Sequence, residues 1–267
     1  HWWAMENAGM VTVALPALGD PREFVTTLLH ELAHHWFGDL VTMAWFDDVW
    51  LNEAFATWLA AKLRIANVPS TPPEPSRPFV HETLPDVSTI RPSLEESYDR
   101  RRLAPYIPGD KGARLVEGLE RLLGEERFAE AIRGYLRAHA DGNATSKDLV
   151  AALASTFGQP IEPMIMAALD GGATPVITIR PSCSGKPSLR GEIKRPATPV
   201  VTCIAFDAAG KRADRCITIA RDPVSIPLAT CPRWFLPEPR RSELIDYTFG
   251  QAELRPVLDH AWPLLSP

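Results

Sequence analysis

The chain has 267 residues, 45% of them apolar and 23% charged, with a net charge of −5. That length allows one or two domains with a sizeable core, and the composition is that of a globular protein. An acidic balance without a long basic run argues against nucleic acid as a partner, and no run of about eighteen apolar residues predicts a membrane span. The chain begins at His1, without an initiator methionine or a signal sequence, and reads as a fragment or processed product.

Residues 9–15 read as a short strand. Asp20-Pro21-Arg22-Glu23 has the order N-cap, N1 proline and capping-box glutamate, and opens a predicted helix over 21–37. Val25, Leu28, Leu29, Leu32 and Trp36 repeat at helical spacing along it, and Gly38 ends the run. A second helix is predicted over 50–66. Pro69 to Pro108 holds nine prolines and reads as a long loop. The helical period returns over 111–123, 125–140, 146–157 and 161–169, with Thr145 and Asp148 as a cap signal.

From Pro175 the period changes. Val176–Ile179, Val200–Phe206 and Cys216–Ala220 are rich in β-branched residues and bounded by Pro and Gly clusters. Short strands with turn signals between them predict a small antiparallel β-sandwich. The expected class is therefore α+β. A mostly helical domain covers 1–172, a β-sandwich 173–250, and the start of a C-terminal helical segment 251–267.

All four cysteines, Cys183, Cys203, Cys216 and Cys231, lie in the predicted β region. An even count there points to disulfides and an extracytoplasmic or secreted setting, with four buried thiols as the other reading. A two-residue loop at Ala209-Gly210 would set Cys203 opposite Cys216 on a non-hydrogen-bonded pair. A type I turn with a glycine bulge would slip the register and point them to opposite faces. Asp207 at the first turn position and Gly210 at the fourth favour the bulged turn.

The chemistry concentrates in His30-Glu31-Leu32-Ala33-His34 and in Glu53 of the next predicted helix. Two histidines four apart project from one helix face, so both imidazoles reach one tetrahedral zinc, with Glu31 beside its open position. Catalytic zinc needs a third protein ligand, and Glu53 supplies a His2Glu set. Bound water is acidified by such an ion, and Glu31 is placed to take its proton. His35 is rotated by about 100° from the metal face and packs elsewhere. One zinc per chain is expected.

Three blocks carry a resemblance. Trp3-Ala4-Met5-Glu6-Asn7, His30 through Asp39, and Trp50-Leu51-Asn52-Glu53-Ala54-Phe55-Ala56 resemble the gluzincin zinc aminopeptidases of the alanyl aminopeptidase and leukotriene hydrolase type. With the Asp110-Lys111-Gly112-Ala113 block the likeness covers about residues 1–160. It implies a thermolysin-like catalytic core followed by a β module, and an aminopeptidase acting on peptides with a free N-terminus. Glu6 would then pair with the substrate's α-ammonium, beside a strand edge that takes the peptide as an added strand. Two departures stand out. Trp3 replaces the family's glycine. The family's oxyanion-stabilising tyrosine, in Tyr-x-Lys-Gly-Ala, falls on Gly109, and the nearest tyrosine is Tyr106. Tyr106 reaching in from the loop, weakened activity and a substitute donor are the three outcomes this allows. A non-catalytic zinc-bound scaffold and an endopeptidase or epoxide hydrolase on the same site are the alternatives to an aminopeptidase.

Overall fold

The computed structural model describes residues 4–15, 19–67, 89–91, 107–157, 161–171, 176–194, 200–219, 223–237, 246–248, 255–257 and 259. The chain divides into two compact units, residues 1–172 and 173–267.

In the first unit, β1 (Ala4–Met5) pairs antiparallel with β2 (Thr12–Val13). The strand expected over 9–15 shortens to two residues because Gly9, at φ 74, turns the chain, and the Met10 N–H donates to the Asn7 carbonyl at 2.8 Å. α1 (Pro21–His34) starts where Asp20-Pro21 signals it, with the Phe24 N–H donating to the Asp20 carbonyl at 2.8 Å. It stops three residues short of the expected 37, because the Phe37 carbonyl turns back onto the His34 ring. The apolar ridge of α1 is also not its buried face. Val25, Leu32 and Trp36 are exposed, whereas Ala33, His34 and Phe37 are buried. α1 packs against α2.

β3 (Val41–Met43) and a 3-10 turn at Phe46–Asp48 lead into α2 (Trp50–Asn67). A π-helical turn, Ile107–Lys111, opens α3 (Gly112–Leu123). α4 (Glu125–His139), β4 (Gly142–Ala144), α5 (Ser146–Phe157) and α6 (Glu162–Asp170) follow. These helices fall within a residue of the expected ranges, because amphipathic period and breakers agree along this stretch. The cap at α5 forms as its spacing predicts: the Thr145 N–H and hydroxyl donate to Asp148 at 2.8 and 2.6 Å. β4 pairs parallel with β3, a contact that local pattern does not reveal.

Trp50, Phe55, Phe128, Leu149 and Leu153 form part of the buried core of this unit. Removing each from water stabilises it by on the order of 2 kcal/mol. Buried Asp48 ties the start of α2 to α5. It accepts hydrogen bonds from the Ser146 N–H at 3.0 Å and from the Ser146 hydroxyl, and that hydroxyl oxygen accepts from Trp50 Nε1 at 2.9 Å. Gly112 lets α3 lie close on α2, since a Cβ there would sit 2.6 Å from that of Ala54.

The second unit contains two sheets. One has the order β10 (Phe235–Pro237), β7 (Val200–Ala208), β8 (Lys211–Ile219). The other has the order β11 (Asp246–Thr248), β5 (Val176–Ser182), β6 (Ser188–Lys194), β9 (Val224–Pro227). β11 runs parallel to β5, so the all-antiparallel expectation fails at that edge. One apolar cluster joins Ile179, Leu189, Val224 and Ile226 of the second sheet to Ile204 and Phe235 of the first. Val257, in the segment expected to begin a separate helical region, packs with Ala205 and Trp234 of this unit.

The β7–β8 hairpin corrects the expected bulged turn. Ala208 pairs with Lys211, so the loop is two residues, and Ala209 and Gly210 both take positive φ, 53 and 87. That is the backbone of a type I′ turn, whose twist matches the strands. Asp207 stabilises it by accepting from the Gly210 N–H at 2.8 Å. Cys203 therefore stands opposite Cys216, although the side chains of both lie outside those described. A disulfide joins Cys183 to Cys231, with Cα atoms 5.6 Å apart.

Candidate active site

α1 and α2 bring three side chains together. His30 Nε2 lies 3.1 Å from His34 Nε2 and 3.5 Å from Glu53 Oε2, and His34 Nε2 lies 3.9 Å from the same oxygen. A tetrahedral ion with zinc's bond lengths holds its ligand atoms about 3.3 Å apart. The triangle is of that size, so the donor set fits zinc. The rings stand nearly perpendicular, at 84°, so two lone pairs can converge on one point without stacking.

Each ring is held from behind. The His34 Nδ1 is 3.0 Å from the Phe37 carbonyl oxygen, which fixes the tautomer that leaves Nε2 free for a metal. Gly38 makes this turn possible: its φ is 147, and a Cβ would lie 3.1 Å from the His34 carbonyl oxygen and 3.5 Å from Nδ1. His30 Nδ1 lies 3.4 Å from Thr57 Oγ1. The sequence reading did not pick out Thr57. Its signal was available, because Thr57 lies four residues after Glu53 and so shares its helix face. His35 points away and pairs with Asp39 at 3.0 Å.

Electrostatics follow from burial and the clustered carboxylates. Burial opposes charging of His30, but Glu53, Glu31 and Glu6 outweigh it and raise its pKa. Burial likewise opposes ionisation of Glu53, yet the two histidines hold its pKa below the usual value. Glu31 is only 7% exposed. Burial pushes its carboxyl up to about 7; the His30 charge pulls against this, and Glu6 and Glu53 add to it. A carboxylate poised near neutrality suits a general base.

Glu6, Glu31 and His34 also place ligand atoms within 4.8 Å of one another. This group shares His34 with the first triangle, and Phe37 occupies the other nitrogen, so the two sets cannot both be filled. Glu6 and Glu31 remain as a carboxylate pair beside His30, His34 and Glu53. Tyr106 lies outside the described residues, as does Trp3. Gly109 is buried against the base of the site. A Cβ there would meet Thr57 Oγ1 at 3.4 Å and Glu53 Cβ at 3.7 Å.

Comparison with known proteins identifies the family. The description Peptidase family M1 domain matches residues 1–168. Aminopeptidase N of Streptomyces lividans is 34% identical over 221 residues, covering 76% of this chain and 24% of that protein. Aminopeptidase M1-B of Oryza sativa is 33% identical over 197 residues, 63% of this chain and 22% of its own length. The chain thus spans about a quarter of the length of these curated relatives. A solved structure of Legionella pneumophila aminopeptidase A, in complex with aspartic acid, superposes with a TM-score of 0.78 at 16% identity, over 99% of this chain and 33% of that one. This last likeness speaks to the fold. The family match runs through both helices that carry the His30, His34 and Glu53 triangle and through well over half of the sequence: the chain belongs to peptidase family M1.

Proposed function

We propose that this chain is the catalytic region of a zinc-dependent aminopeptidase, with His30, His34 and Glu53 as metal ligands, Glu31 as general base and Glu6 as anchor for the substrate's amino terminus. The observation that carries the proposal is the ligand triangle with a nearly buried Glu31 carboxyl beside it. When bound, zinc supplies Lewis acidity, polarising a carbonyl and acidifying a water. Glu31, nearly buried beside the triangle, accepts the proton of the attacking water and returns it to the departing amine. Glu6 pairs with a free α-ammonium close to Glu31 and His34, which limits cleavage to the first peptide bond. A thermolysin-like arrangement of the first unit and a sandwich of the two β-sheets are the finer fold reading. The apolar cluster shared by both sheets supports the second of these. The Cys183–Cys231 bond favours an oxidising, extracytoplasmic setting.

The test compares free-amine aminoacyl substrates with their N-acetylated counterparts on the zinc-loaded protein. Free-amine substrates are expected to be cut and blocked ones spared, and Glu6→Ala should erode that preference. Equal cleavage of both would instead indicate an endopeptidase. A second reading, a zinc-bound scaffold without turnover, is favoured by one observation: the position expected to carry the oxyanion tyrosine is buried Gly109, with no side chain to offer. Absence of turnover on every free-amine substrate, with zinc bound, would establish it.

A further inference from the structure

We propose that Thr57 is the positioning residue for His30, its hydroxyl oxygen accepting the ring's Nδ1–H and so holding Nε2 toward the metal; this rests on the zinc reading above. The two ligand histidines face the same problem with different solutions. Each must offer Nε2 as a lone pair, so each must carry its proton on Nδ1 and needs an acceptor behind the ring. For His34 that acceptor is the Phe37 carbonyl at 3.0 Å, part of the chain reversal after α1. His30 is within the helix, where no such reversal exists, and the group 3.4 Å from its Nδ1 is Thr57 Oγ1, from the partner helix.

Thr57 is well suited to the task. It is one helical turn after Glu53, so a single face of α2 supplies both a ligand and a support for another ligand. Gly109 packs against it from the Ile107–Lys111 turn, where a Cβ would be 3.4 Å from the hydroxyl oxygen. A β-branched threonine has few χ1 states within a helix, so the hydroxyl is presented with little rotamer freedom to lose. The hydroxyl accepts from the ring and retains its own proton for another acceptor, which a carboxylate could not do.

The test measures zinc affinity by chelator competition, starting from metal-free protein, for wild type, Thr57→Val, Thr57→Ala and Thr57→Ser. The chemical shift and solvent exchange of the His30 Nδ1–H are read in parallel on the zinc-loaded protein. Val and Ala are expected to weaken zinc binding by roughly ten- to a hundredfold, while Ser retains wild-type affinity. The His30 Nδ1 proton should be shifted downfield and slow to exchange in wild type and Thr57→Ser, and quick to exchange in the other two. A purely packing role would leave its shift and exchange unchanged. Wild-type zinc affinity in both Thr57→Val and Thr57→Ala overturns the assignment and leaves the zinc site standing. A wild-type protein that binds no zinc overturns the zinc reading and this assignment with it.

Discussion

Two carboxyls that expose little surface, one in each unit, behave in opposite ways. Glu31 is 7% exposed and Asp207 is 3% exposed. Burial pushes Glu31 up to about 7, because its neighbours include the carboxylates of Glu6 and Glu53 and only His30 opposes them. Asp207 goes the other way. The Arg233 side chain holds its pKa below the usual range, against burial, with the Gly210 and Arg233 N–H groups adding to the effect. The contrast teaches that burial raises a carboxyl, and that donors gathered round a carboxylate hold its charge. The helical unit holds an acid ready to exchange a proton, whereas the β unit uses an acid to lock a turn.

Substituting the first acid should give the largest effect. Glu31→Gln keeps shape and removes the base, so turnover on a free-amine substrate is expected to fall by roughly a hundred- to ten-thousandfold. Zinc content measured on the same sample should remain at one per chain. Retained turnover would show that Glu31 is no more a base than Asp207 is.

The β unit should respond in stability and not in metal content. Cys183 and Cys231 close a loop with a sequence separation of 48. The chain-entropy account of such a loop puts the loss on removing both sulfurs at about 4 kcal/mol, read by denaturant unfolding. Unchanged stability in the double Cys→Ala variant would mean that the sheets hold this loop without the bond.

Asp207→Asn should act on a smaller scale. Removing the charge from a buried carboxyl with several donors is expected to cost about 1–3 kcal/mol at neutral pH. The sign of the pH effect follows from the lowered folded pKa: the stabilisation is complete above the unfolded carboxyl value of about 4 and is lost as pH falls through the folded value. The wild type should therefore lose stability more steeply than Asp207→Asn in that acid window. Parallel acid profiles for the two proteins would remove Asp207 from this role.

A pair of glycines packed against α2 should give effects no larger than this. Gly112→Ala forces a methyl against Ala54 Cβ at 2.6 Å and is expected to destabilise by about 1–3 kcal/mol. Gly109→Ala meets nothing nearer than 3.4 Å, and its stability change should stay within about 1 kcal/mol. Thermal unfolding of the two variants side by side checks the order. The reverse order would contradict the close approach of α3 to α2.

Local chemistry was legible in the sequence wherever residues near in the chain decide the outcome. His30 and His34 share a face because of helix periodicity alone, and the Thr145–Asp148 cap needs only three residues. The helices from 112 onward follow for the same reason. What escaped depends on distant partners. Parallel pairing of β3 with β4, and of β11 with β5, leaves no short-range mark. The buried face of α1 is set by the approach of α2, so the apolar ridge at Val25, Leu32 and Trp36 misled. At the β7–β8 turn, Ala209 adopts a left-handed φ of 53 that a non-glycine residue ordinarily avoids. Asp207 offsets that strain by accepting hydrogen bonds from Gly210 and from Arg233, which lies beyond the hairpin.

The tie between Asp48 and Ser146 has a consequence for the order in which the molecule is made. The two residues are 98 positions apart, and the Trp50–Ser146 contact spans 96. His30, His34 and Glu53 leave the ribosome before the serine that anchors α2. A nascent chain ending before Gly142 holds all three while lacking both β4 and the Ser146 clasp. The proposed metal site is therefore expected to reach its full affinity only once α5 has been made and has docked.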